Sequence, residues 1–220
     1  MSPPGRHRPE ADNVRQATDS PQGLSVSGLS PKGEIRSAQH AGSPVTAIEE
    51  TTAWLEKAVI GLNLCPFAKA VHSKGQIRWV LSDATHPAAL LELLVQELQH
   101  LAAADPEAVD TTLIVHPQAL QDFLDFNDFL GVADQALEEL GLIGVLQIAS
   151  FHPQFQFAGT DPGDIANATN RSPHPTLHLL REDSVERAVA AFPEAEAIFE
   201  SNIETLRRLG PEGWKMLLKR

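Results

Sequence analysis

Residues 170–182 read NRSPHPTLHLLRE. Two histidines, two arginines, an asparagine and a glutamate are threaded there between prolines and leucines. Two backbones fit the stretch. Proline favours the first turn of a helix, and a turn begun at Pro175 would put His174 and His178 on one face. The run Thr176–Leu180 is also apolar enough for a strand, in which the two histidines still share a side but stand further apart.

The preceding chain alternates. Ile48, Thr52, Leu55, Val59 and Leu62 recur at helical spacing, and Gly61 and Pro66 predict an end near 61–65. Gln76–Leu81 is branched and aromatic, as strands are. Leu90, Leu91, Leu94, Leu98 and Leu101 mark a second helix, begun at His86-Pro87 and ended near Asp105-Pro106. Thr112–Val115 reads as a short strand buried on both faces. A third helix spans Asp122 to Leu140, with Gly131 as a candidate interruption, and Gly144–Phe151 is a third strand. Strand, helix, strand, helix, strand predicts right-handed crossovers and a mainly parallel sheet. The expected fold is therefore α/β: a small, mainly parallel sheet of at least three strands, flanked by helices.

Residues 152–175 read as a long irregular loop whose aromatic residues Phe155 and Phe157 argue for order and function. Asp183 and Glu186 have capping-box spacing for a helix through Phe192. Pro193 starts another, with Ile198, Phe199, Ile203, Leu206 and Leu209 inward and Gly210-Pro211 stopping it. A last short helix around Trp214–Leu218 completes a C-terminal helical segment. Residues 1–44 are rich in Ser, Pro, Gly and Arg, have no aromatic residue and show no apolar period. Such a segment buries too little to offset its ordering entropy, so a disordered tail is expected, with residues 45–220 a single globular domain.

The chain of 220 residues carries a formal net charge of -12 and one cysteine. An acidic surface repels phosphate backbones and anionic lipid, which argues against nucleic acid and membrane partners. One cysteine excludes an intramolecular disulfide and fits a reducing, cytoplasmic setting. No apolar run approaches a membrane span, and the first residues have no secretory core. The sequon at Asn167 is then expected to stay unglycosylated.

Three polar constellations stand out. In Asn63-Leu64-Cys65-Pro66-Phe67, proline at a first helical position would make Cys65 the cap, where the helix dipole favours a thiolate nucleophile. A buried cysteine acting as a small hydrophobe is the competing reading. In Phe151-His152-Pro153, a histidine follows the third strand, where open sheets place ligands; His116-Pro117 sits similarly after the second. In the opening stretch, Arg171 and Arg181 offer planar forks for carboxylate or phosphate, and Arg171 lacks a close acidic neighbour in sequence. His152, His174 and His178 are compatible in type with a transition metal, but no HExxH pattern is present.

The segments GLNLCPFAKA (61–70), QIASFHPQFQFAG (147–159), NRSPHPTLHLLRE (170–182) and DSVERAV (183–189) resemble an uncharacterised, mainly bacterial family classed as a domain of unknown function. The resemblance covers roughly residues 47–217. It departs at His174, where the family pattern has tyrosine. It implies that Cys65, His152, Arg171, His178 and Arg181 are motif residues and assigns them no activity. The expected site is one polar pocket: Cys65 as nucleophile or redox thiol, His152 or His178 as its base, and Arg171, Arg181, Asn63 and Asn170 binding a small anionic molecule. A metal-dependent hydrolase using His152, His178 and Asp164 is one alternative. A ligand-binding or interaction module with a structural polar network is another. Cofactor and oligomeric state are not readable from the sequence.

Overall fold

A computed structural model describes residues 44–191 and 197–219. The expected disordered tail, up to residue 43, lies outside the described residues, as does the expected helix junction at Phe192-Pro193. In chain order the elements are α1 (Pro44–Trp54), a π-helical continuation (Leu55–Ile60), α2 (Ala68–Ser73), β1 (Ile77–Leu81), α3 (Pro87–Ala103), β2 (Thr111–Val115), α4 (Phe123–Glu139), β3 (Leu146–Phe151), a 3-10 helix (Ile165–Asn170), β4 (Thr176–Arg181), α5 (Glu182–Ala191) and α6 (Ile198–Leu218). No helix among the described residues is long and apolar enough to cross a membrane.

The fold is α/β, but its sheet is mixed and not mainly parallel. The strand order is β1-β2-β4-β3. Only β1 and β2 pair in parallel; β4 is antiparallel to both its neighbours. The three strands read from the helix–strand alternation do run the same way, because β2 and β3 each oppose β4. The opening stretch supplies the inserted strand. Its direction follows from its connection. Phe151 closes β3 directly opposite Thr176, which opens β4. The loop between them holds only the short 3-10 helix, so the chain re-enters the sheet at the end it left and must run back. Its central place shows in its burial: Thr176, Leu177, Leu179 and Arg181 are all enclosed.

Strand alternation divides the sheet into two faces. Val80, Ile114, Leu146, Ile148, Leu177 and Leu179 meet Leu90, Leu94 and Leu98 of α3 and Phe126, Ala133 and Leu137 of α4. Leu90, Leu94, Leu98 and Phe126 are fully enclosed, each contributing about 2 kcal/mol of burial free energy. Both helices begin on caps. The His86 ring Nδ1 accepts from the Ala89 N–H at 3.3 Å, with Pro87 in the first turn. Asp122 Oδ1 accepts from the N–H groups of Leu124 and Asp125. Gly131 leaves α4 unbroken.

The opposite face, with Ile77, Trp79 and Phe151, packs on the first helix through Trp54, Leu55, Ala58 and Val59. Trp54 stands edge-on to Phe151 with ring centroids 5.1 Å apart. The first helix ends at Gly61, inside the expected window, and a Cβ there would collide with the Lys57 carbonyl oxygen. In α6 the backbone turns at Gly210 (φ 69°), where only glycine is unstrained, and Pro211 opens the next turn. Leu206 is buried, but Phe199, expected inward, is half exposed and meets Phe157 edge-on.

Candidate functional site: an apolar cavity on the second sheet face

Face-two residues of the sheet do not all reach a helix. A cavity of about 640 Å³ opens over Leu113, Ala149, His178 and Leu180. One wall is the chain from Trp54 to Val71, including Val59, Cys65 and Phe67; the other is α5, through Val185 and Ala188. The lining is predominantly apolar. Its polar side chains are few: Thr111, Gln147, Asp110 and Ser184 near the start of the strands, with Cys65 and His178. The Ser184 hydroxyl donates to Asp110 Oδ1 at 2.5 Å and ties α5 to the edge of the cavity. No residue of α5 is buried, so this helix is a thinly attached wall.

His178 occupies the middle of β4, opposite Leu113 and Ala149. Its Nε2 lies 2.7 Å from Thr111 Oγ1, whose single proton goes to the Leu179 carbonyl at 2.5 Å. The threonine oxygen must then accept, so Nε2 carries the proton and Nδ1 keeps a lone pair. Nδ1 has no protein partner among the described residues. Burial pushes the ring down to about 4, so it is neutral at physiological pH.

Cys65 lines the same cavity, partly buried. It does not cap a helix, contrary to the proline-based expectation. Phe67 holds that position, and α2 begins only at Ala68. Pro66 lies instead in the turn that leaves the π-helix, where the Cys65 N–H points to the Val59 carbonyl at 3.4 Å.

His152 lies elsewhere. Its ring is buried between the two loops at the carboxyl ends of β2 and β3. Nε2 donates to the Leu120 carbonyl at 3.2 Å, and Nδ1 accepts from the Gln154 N–H at 3.1 Å. Both nitrogens are therefore used, and the ring stacks on Phe126 at 5.1 Å. The bond to Leu120 anchors a non-glycine residue in the left-handed region, φ 54°. Burial lowers the His152 pKa. His116 is similar in burial: Nδ1 donates to the Ala119 carbonyl at 3.1 Å, Nε2 is enclosed with no partner among the described residues, and burial pushes the ring to about 4.

The two arginines part company. Arg181 is buried and donates to the carbonyls of Leu101, Ala104 and Val109. It closes the end of α3 and the following turn, and those donors are spent within the protein. Arg171 lines a separate cleft on the other side of Trp54. Asn63 is an exposed turn residue at φ 56°, a conformation asparagine tolerates. Asn170 offers its carbonyl to the His152 N–H at 3.2 Å. Neither asparagine lines the cavity. His174 pairs with Glu50 at 2.8 Å, away from His178. No group of three potential metal ligands occurs among the described residues, so His152, His178 and Asp164 do not form one.

Sequence reasoning missed three residues. Thr111 fixes the His178 tautomer, and Trp54 separates the cavity from the cleft. Asn167 pins the long loop: it is enclosed, accepts from the Phe157 N–H and Thr160 hydroxyl, and donates to the Asp161 carbonyl. The only sequence signal was the sequon, which points to a different property.

Fold and site together define an α/β domain with a mixed four-stranded sheet and one apolar cavity walled by a short amphipathic helix. The chain belongs to the family described as a protein of unknown function (DUF1415), which matches residues 46–216. No curated protein and no solved structure gives a match.

Proposed function

We propose that this domain binds a small, mainly apolar molecule in the cavity between α5 and the Cys65 segment, and that His178 reads a hydroxyl or N–H group on it. One observation carries the reading: an acceptor nitrogen with no hydrogen-bond partner among the described residues, on a histidine that lines a predominantly apolar cavity. Apolar walls supply affinity, and a few fixed polar atoms supply orientation. A ligand donor replaces the water that Nδ1 would otherwise need. His152, both of whose ring nitrogens are bonded to backbone, and Arg181, whose Nε and Nη2 donate to backbone carbonyls, serve as structural locks in this reading. The single cysteine supports a reducing compartment.

β-Naphthol is a suitable probe, being a flat apolar body with one hydroxyl. We expect saturable binding in calorimetry, weaker by at least tenfold for its methyl ether, which cannot donate. Ala188→Phe, which fills the cavity from the α5 wall, should abolish binding while leaving the fold intact. Equal affinity for β-naphthol and its ether, or full binding to Ala188→Phe, would sink the reading.

Thiol chemistry at Cys65 is a second reading, favoured by Cys65 and His178 lining one cavity. A ring held near 4 is a weak base at neutral pH, so this reading requires a ligand that raises it. Because the chain has one cysteine, alkylation with iodoacetamide reports on Cys65 alone. A rate that increases on Cys65 when β-naphthol binds, and not in His178→Leu, would favour the thiol reading; protection by β-naphthol would favour simple binding.

A further inference from the structure

A second concavity, about 610 Å³, lies across Trp54 from the cavity and is floored by the chain at Pro153 and Arg171–Pro173, with Trp214 opposite. Arg171 is its distinctive group. Its guanidinium is held in place by backbone: Nε donates to the Phe155 carbonyl and Nη2 to the Pro162 carbonyl, both at 2.9 Å. Those two bonds use two of five N–H donors. No carboxylate among the described residues lies within ion-pair distance of it. The charge is also partly desolvated, which lowers its pKa with no acidic neighbour acting in the other direction. A positioned, half-buried cation without a counter-ion is costly in an unliganded protein and is repaired by an anion.

We propose that this cleft binds an aromatic or otherwise apolar monocarboxylate, with Arg171 as the carboxylate anchor and the half-buried Trp214 as the wall for its body. The geometry goes beyond the cavity reading and stands independently of it. The planar fork suits a two-oxygen anion, and the partly exposed Trp214 indole suits a flat apolar group. Charge sets the valence. Glu49 and Glu50 stand on the same cleft, and the whole chain is acidic. A dianion such as phosphate is repelled more strongly than a monocarboxylate. Lys57, which donates to the Lys219 carbonyl at 3.2 Å, offsets part of that repulsion at the rim.

The test follows the indole N–H signals of the three tryptophans in two-dimensional NMR of the full chain, with benzoate, benzamide and inorganic phosphate as probes. Benzoate should shift the Trp214 signal saturably in the millimolar range. Benzamide, the same shape without the charge, should bind at least tenfold more weakly, and phosphate should give no saturable shift. Arg171→Lys, which keeps the charge but loses the fork, should weaken benzoate about tenfold. Ala188→Phe should leave benzoate binding unchanged, which separates this cleft from the cavity. The proposal is overturned if benzamide matches benzoate, if phosphate binds as well as benzoate, or if Arg171→Lys binds benzoate undiminished. The first two comparisons use the unmodified protein and stand even if the variant fails to fold.

Discussion

His152, enclosed in the loop after β3, and His178, half-buried within the neighbouring β4, are both neutral imidazoles, yet they sit in opposite kinds of surroundings. Every hydrogen-bonding atom of the His152 ring is matched to backbone, and aromatic rings close over it. The His178 ring has one nitrogen matched, the other unpartnered among the described residues, and a cavity beside it. The first region is a completed polar lock; the second is an incomplete one. A satisfied buried network specifies structure, whereas an unsatisfied atom beside empty apolar space is a place for a ligand. Residue type and approximate burial do not separate the two, and the partners do.

Acid should strain both regions most. Burial places the folded-state pKa values of His116 and His178 at about 4, below the unfolded value near 6.5. The unfolded chain therefore binds more protons between these values. The stabilisation from keeping each ring neutral is complete above pH 6.5 and is lost as pH falls toward 4, about 3 kcal/mol per ring. Urea unfolding at pH 7 and at pH 4.5 should show this loss, and His178→Leu should remove roughly one ring's share. An unchanged pH profile in His178→Leu would mean that the ring is solvated and the cavity wet.

Next in size is Arg181→Met. It strips charged donors from three carbonyls near the end of α3, and we expect a loss of about 3 kcal/mol in equilibrium unfolding. Asn167→Ala should cost about 2 kcal/mol through the unpinned loop. On the cavity side the same kind of change should be mild. At pH 7, His178→Leu leaves the Thr111 hydroxyl bonded to the Leu179 carbonyl, so its stability should stay within about 1 kcal/mol of the parent, while preference for the β-naphthol hydroxyl disappears. A large loss at His178 would make it a second lock and erase the contrast.

Local features were legible in the sequence. The helix starts near His86-Pro87 and Asp122, the stop near Gly61, the break at Gly210-Pro211 and the co-directional β1, β2 and β3 follow from short-range rules. The inserted antiparallel strand was not, because Thr176 finds Phe151 only after a long irregular loop has closed. Two histidines in 170–182 suggested metal chemistry; the strand instead sends His174 to Glu50 and His178 to Thr111. Arg181 advertised anion binding because its true partners, carbonyls around the end of α3, lie far back in the chain. Sequence neighbours describe the supply of donors, while only tertiary pairing shows which donors remain unspent. One pocket was expected around Cys65, His152, His178 and the arginines; Cys65 and His178 line the cavity, whereas His152 and the arginines lie apart from it.

The most direct measurement is a crystal structure with brominated β-naphthol, located by the anomalous signal of its bromine. Bromine density is expected between α5 and the floor formed by Leu113 and Ala149, with the naphthol oxygen within hydrogen-bonding distance of His178 Nδ1. Density at the Arg171 cleft or on the surface, with an empty cavity at a concentration that saturates binding in solution, would contradict it.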